Sequence, residues 1–238
     1  MSIRVPLIAA ILSLCACAAM DLKQALSAAD VARFHKVGVV SLLGDSVNGV
    51  YIGTTPLDSR RFTGAVPEWQ IDRFVADQAL GIIAAGGRVA AGRIDPAGTD
   101  LAGLRADRAR RLWELARAQG FDTVVSVWPS VSENFPFFKP GYGLYDNSLL
   151  GQSRRCLFAS YTVEVYDVAS RRRIAWEWGG AAPCRMGADG GLVFLDGFDK
   201  YSDAQKQAMR TGIEARFAET LRYALVKLAL ADAPSNPP

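Results

Sequence analysis

The 238-residue chain opens on an apolar run, residues 5–14. After it, short β-branched runs alternate with longer stretches whose apolar positions lie three or four apart. A continuous apolar run of four to eight residues reads as a buried strand, and a three-to-four spacing as a helix with one buried face. On these rules residues 36–43 form a buried strand, Gly44-Asp45-Ser46 turns the chain, and Val50-Tyr51-Ile52 returns as a second strand. Pro67 fits the first turn of a helix ending near Ala85, with Ile71, Phe74, Val75, Gln78, Ala79 and Ile82 on one stripe and Gly86-Gly87 as its stop. Residues 88–94 read as a modest strand, 106–119 as a helix with Leu112, Leu115 and Ala116 inward, and 121–128 as the next buried strand, after the stop at Gly120.

The clearest strand pair comes later. Leu157, Ala159, Tyr161, Val163 and Val165 alternate with more polar neighbours, and Ile174, Trp176 and Trp178 alternate beyond a turn at 168–171. Pairing Val165 with Ile174, Val163 with Trp176 and Tyr161 with Trp178 puts all of them on one face; a slip of one residue sets Glu164 against Trp176. The last element is the strongest helix. Ser202 and Gln205 form a capping box, and Ile213, Phe217, Leu221, Ala224, Leu225 and Leu228 make its buried stripe. The expected fold is α/β, an α+β sandwich: one mixed β-sheet with helices packed against it and a long C-terminal helix. It occupies residues 36–232 as a single domain, after a tether or short helix over 17–35 and before a frayed tail at 233–238.

The apolar opening changes the picture of where this domain works. Arg4 precedes the run and small residues surround Cys17. A basic start, an apolar stretch too short to span a bilayer and a patch of small residues make an export signal over residues 1–16. Leu14-Cys15-Ala16-Cys17 resembles a bacterial lipobox, with Cys17 as the lipid acceptor; ordinary cleavage at Ala16 and Ala18 is the alternative. Ala18 in place of Asp implies, by resemblance to enterobacterial lipoproteins, sorting to the outer membrane. Acyl chains on Cys17 give stable anchoring, since each buried methylene contributes about 0.8 kcal/mol.

Composition is that of an ordinary globular domain, half hydrophobic and 21% charged. The net charge of +3 is small and the arginines lie in short groups with acids nearby, which argues against nucleic-acid binding. Two of the four cysteines belong to the leader, so Cys156 and Cys184 remain. In an oxidising compartment the pair is a disulfide candidate; two buried free thiols, the default for a cytosolic protein, are the alternative. The hairpin register carries Cys156 to a point opposite Pro183, and a bulge at Gly179-Gly180 would let the two sulfurs meet.

The run Val37-Gly-Val-Val-Ser-Leu-Leu, the helix ending Gly86-Gly87, the helix–Gly120–strand unit into Val124-Val-Ser-Val, and the hairpin Tyr161-Thr-Val-Glu-Val-Tyr-Asp…Ile174-Ala-Trp together carry a resemblance. In order and texture they look like the α/β domain of periplasmic and outer-membrane lipoproteins: the N-terminal domain of TolB, LpoB and CsgG. The resemblance spans about residues 37–230. It implies a module that binds envelope partners and performs no catalysis. The cysteine pair and the long aromatic segment after Trp128 depart from that pattern.

Candidate chemistry is sparse. Gly44-Asp45-Ser46 after a first strand looks like the nucleophile block of GDSL-type esterases, which makes a secreted serine hydrolase using Ser46 the alternative function. A serine nucleophile needs a base, normally histidine held by an acid. The one histidine, His35, precedes the first strand, and no Asp-x-x-His pair stands near the C-terminus. His35 has no Cys, Asp or Glu at ligand spacing, so no metal is expected, and the dispersed glycines match no nucleotide loop, so no cofactor is expected. The segment 134–150 is too rich in Pro and Gly for a helix or central strand and too aromatic for an idle loop. One reading is a connection folded over the sheet. The other is a partner-binding surface made by Phe135, Phe137, Phe138, Tyr142 and Tyr145. The sequence thus points to a lipid-anchored periplasmic interaction protein, attached to the membrane by an N-terminal lipid and meeting an envelope protein partner, with its oligomeric state open.

Overall fold

A computed structural model describes residues 25–96, 99, 101, 105–131, 139–148, 154–179, 184 and 191–233. The leader with Cys17, the rings of Phe135, Phe137 and Phe138, Gly180 and the tail from residue 234 lie outside the described residues.

Helix α1 (Ala28–Ala32) is a single short turn made possible by a capping box between Ser27 and Asp30. It leads into β1 (Lys36–Ser41), whose β-branched run is buried from Val37 onward. The chain then passes through β2 (Ser46–Ile52), β3 (Arg60–Ala65), α2 (Ile71–Ala85), β4 (Ala90–Arg93), α3 (Arg105–Ala118), β5 (Thr123–Pro129), β6 (Gly141–Asn147), β7 (Arg154–Asp167), β8 (Arg172–Trp178) and α4 (Asp203–Lys227). The eight strands form one mixed sheet, connected in the order β3-β2-β6-β7-β5-β1-β4, with β8 also on β7. β1 pairs parallel with β4 and β5, β2 pairs parallel with β6, and β7 runs antiparallel to β5, β6 and β8.

The long strand β7 organises the sheet. Its first half pairs with β6 and its second half with β5, so those two strands follow each other along it. β1 and β2 repeat the arrangement one strand further out. On one face α2 and α4 cover Val37, Val39, Val125, Val127, Leu157, Ala159, Val163 and Val165. On the other, Leu112 and Ala116 of α3 pack on Val40, Val124 and Trp128. All six stripe residues expected for the C-terminal helix region are buried, and the Ser202–Gln205 capping box is present.

Three expectations need correction. The hairpin register is one residue away from the expected one: Glu164 faces Trp176, Val163 faces Glu177 and Val165 faces Ala175. The expectation assumed that only one face of the hairpin is buried. Both faces of β7 are buried, so a glutamate no longer marks the solvent side. The irregularity lies between Val165 and Tyr166, where Ile174 is the extra residue. Second, residues 141–147 are a strand in the body of the sheet. Gly143 makes this possible: a Cβ there would stand 1.7 Å from the Asn48 carbonyl oxygen on β2. Pro140 lies just before the strand, where its missing N–H costs no ladder bond. Third, Pro67 opens a separate 3-10 turn, Pro67–Trp69, and α2 starts only after Gln70, which adopts a left-handed conformation at φ 50°. β3 was not expected at all; its Arg-Arg-Phe-Thr-Gly-Ala pattern buries only Phe62 and Gly64.

Candidate functional site

The turn that carries Ser46 is held by its neighbours. Gly44 turns the chain at φ 81°, a conformation glycine adopts without steric cost. Asp72, in the first turn of α2, accepts hydrogen bonds from the Ser41 hydroxyl (2.5 Å) and the backbone N–H groups of Leu43 (2.7 Å) and Gly44 (3.1 Å). The Tyr142 hydroxyl donates to the Gly44 carbonyl at 2.9 Å. Partial burial first, and then the carboxylates of Asp72 and Glu68, raise the Asp45 carboxyl above its ordinary range. Burial, followed by Asp72 and Asp45, pushes the Tyr142 hydroxyl up as well.

Ser46 itself opens β2 and is exposed. His35 stands at the opposite end of β1, roughly 20 Å of extended chain away. Its backbone N–H donates to Asp122 at 2.9 Å. The sequence-derived hydrolase parts are therefore not brought together: Asp72, beside the turn, is engaged by the Leu43 and Gly44 backbone, and the imidazole is remote.

What the fold does create is a cleft that no local motif announces. β1 lies between β4, reached across one face by α2, and β5, reached across the other by α3. A crevice opens at such a switch point, outside the carboxyl ends of parallel strands. Here it is a cavity of about 280 Å³ lined by Val40 and Ser41 of β1, Asp72 and Ala76 of α2, and Ile94 and Pro96 after β4. At its rim Arg73 and Arg93 both reach Asp77, at 3.8 and 3.1 Å. Its lining comes from three separate stretches, so only the strand ends, read as a topology, could have pointed to it. Within it the Ser41 hydroxyl donates to Asp72, whose carboxylate is also taken up by the backbone N–H groups of Leu43 and Gly44. Among the described residues no three His, Cys, Asp or Glu side chains gather as a metal site.

The aromatic candidates divide. Tyr142 and Tyr145 are interior residues of β6, with Tyr142 fully buried and ring-packed on Phe217, and Tyr145 beside Val50, Cys156 and Phe158. Neither is available to a partner, which corrects the expectation for both. Strand periodicity explains them: each points into one side of a sheet that is covered on both. Phe135, Phe137 and Phe138 lie outside the described residues.

Cys156 and Cys184 are joined by a disulfide with their Cα atoms 5.7 Å apart, within the range such bridges require. Cys184 also forms a backbone bridge to Phe158, two residues along β7 from its sulfur partner. Both cysteines are buried, against Val50, Tyr145 and Phe158.

No family model matches the chain, and no curated protein matches it. Solved structures similar to it include a single-substitution variant of the PelC dodecamer from Paraburkholderia phytofirmans, 14% identical over 89% of this chain and 96% of that one, with a TM-score of 0.33. Protein XCC0632 from Xanthomonas campestris, assigned to DUF330, is 10% identical over 83% of this chain and 84% of its own, with a TM-score of 0.41. A second PelC dodecamer structure from Paraburkholderia phytofirmans is 14% identical over 89% of this chain and 94% of that one, at a TM-score of 0.34.

Proposed function

We propose that the chain is an exported cell-envelope protein, lipid-anchored through Cys17 and facing the periplasm from the outer membrane, that acts by binding a partner and not by catalysis. The observation that carries this reading is the Cys156–Cys184 bridge, buried inside the fold. A structural disulfide belongs in a compartment that oxidises thiols. The export-type leader supplies the route there. The non-catalytic part rests on the remoteness of His35 from Ser46 and on the engagement of Asp72 by the turn it holds.

Growth of producing cells with a radioactive fatty acid tests the anchor. The wild type should take up label and Cys17→Ala should not; an unlabelled wild type, or a labelled variant, overturns it. Hydrolysis of a generic p-nitrophenyl ester by the wild type, lost in a folded Ser46→Ala variant, would overturn the non-catalytic reading.

A further inference from the structure

Nine positions separate Cys17 from Leu26, which is buried in the main core just ahead of α1. At about 3.3–3.6 Å per residue, nine residues reach at most roughly 30 Å. Because α1 leads directly into β1, a lipid on Cys17 would draw toward the bilayer the end of the sheet where β1 begins. Strand register identifies what shares this end. Lys36 pairs with Ala90 at the start of β4, and Val37 with Thr123 at the start of β5. Thr123 pairs with Asp167 at the end of β7, and Asp167 with Arg172 at the start of β8. The last turn of α3 arrives at the same edge, where Arg117 and Arg171 line one cavity with Glu114.

The edge has more exposed cations than exposed carboxylates. Lys36, Arg117, Arg171 and Arg172 are exposed and form no ion pair among the described residues. Glu114 is the exposed carboxylate beside Arg117 and Arg171, while Asp122, Asp167 and Asp30 are engaged within the fold. Asp122 accepts the backbone N–H groups of His35 (2.9 Å) and Lys36 (3.1 Å). Asp167 accepts that of Ser170 (2.6 Å), and Asp30 holds Arg33 at 2.5 Å. By contrast, the carboxylates of Asp45, Glu68 and Asp72 cluster beyond the other end of β1, close enough to raise the first of them.

We infer that this basic edge rests on the lipid surface to which the N-terminus is tied, with Lys36, Arg117, Arg171 and Arg172 against anionic phospholipid headgroups. The inference builds on the lipid-anchor reading above. The tether brings the cations to the surface, and charge complementarity then orients the domain with its acid cluster away from the bilayer. Such contacts act within about 10 Å at 0.1 M salt and weaken as salt rises.

The test uses the purified full chain in nanodiscs of phosphatidylcholine alone or of phosphatidylcholine and phosphatidylglycerol at a three-to-one ratio. Hydrogen exchange of the peptide covering residues 167–173 is the readout. We expect exchange at least fivefold slower on the anionic discs, with the difference removed by 0.5 M salt and by R117E/R171E/R172E, whose circular dichroism should match the wild type. Equal exchange on the two discs overturns the inference, as does protection that survives the triple charge reversal. If the triple variant is unfolded, the single variant R172E should still halve the protection, and unchanged protection there overturns the inference too. Intact mass of the same sample reads the anchor separately: a chain without acyl groups overturns the anchor reading, whatever the exchange pattern.

Discussion

Glu164 and Arg173 meet between β7 and β8, where Arg173 Nη1 donates to Glu164 Oε1 at 3.0 Å with only 2% of the Glu164 side chain exposed. The Tyr166 hydroxyl donates to the other carboxylate oxygen. A buried carboxylate satisfied in this way fixes the register of both strands, because any slip leaves its charge unpaired. Glu164→Leu should remove the carboxylate that Arg173 pairs with. As Arg173 is 29% exposed, water relieves part of the penalty, and a loss of about 2–3 kcal/mol is expected in urea unfolding. The double variant E164L/R173L should regain more than half of that loss; strictly additive losses would show that the pair is not coupled.

Two glycines should respond to alanine in opposite directions. At Gly143 the new Cβ meets the Asn48 backbone, so β2 and β6 must separate, and Gly143→Ala should cost more than about 4 kcal/mol or abolish folding. Gly81, on an exposed position of α2, has open space around it. Gly81→Ala should stabilise the protein by about 0.5–1 kcal/mol through helix propensity. Thermal melts of the two variants against the wild type check both signs.

The bridge closes a sequence separation of 28 residues. Restricting an unfolded loop of that size contributes about 3.5 kcal/mol in the chain-entropy account. C156A/C184A, or reduction of the wild type, should lower stability by an amount of that order. Guanidinium titrations with and without reductant should separate for the wild type and coincide for the double variant.

Asp45 and Asp167 should give opposite pH signatures. The folded state raises Asp45 above its ordinary value of 3.8, so its ionisation opposes folding at neutral pH and that penalty fades as pH falls below the raised value. Asp167 is lowered, chiefly by the hydrogen bond from the Ser170 backbone, so its contribution is full above 3.8 and is lost as pH falls through its lowered value. Asp45→Asn should therefore be more stable than the wild type at pH 7, and Asp167→Asn less stable. Each difference should stay below about 1 kcal/mol near the surface; that of Asp45 should vanish once the pH is below 3.8, and that of Asp167 should shrink as the pH falls below 3.8. Urea midpoints at neutral pH and below pH 3.8 provide the check.

The elements that the chain declares most openly are those whose evidence is local. The C-terminal helix shows its capping box and stripe within one continuous segment, and the burial of Ile213 through Leu225 follows from a single periodicity. β1 and β5 are equally open, since a run of β-branched residues has few other uses. β6 is hidden because its suitability depends on Asn48, over ninety positions away, approaching Gly143. The cleft beside β1 is hidden for the same reason, its lining drawn from residues 40–41, 72–76 and 93–96.

By itself the amino-acid order determined the fold class and most element types, and it marked Cys156 and Cys184 as a candidate pair, because periodicity, caps and composition act over short stretches of chain. Tertiary structure decided the pairing of Glu164 with Trp176, the interior fate of Tyr142 and Tyr145, and the separation of His35 from Ser46. Those outcomes depend on which faces of the sheet are covered and which strand ends coincide. Neither property belongs to any one segment; both arise only when distant segments pack together.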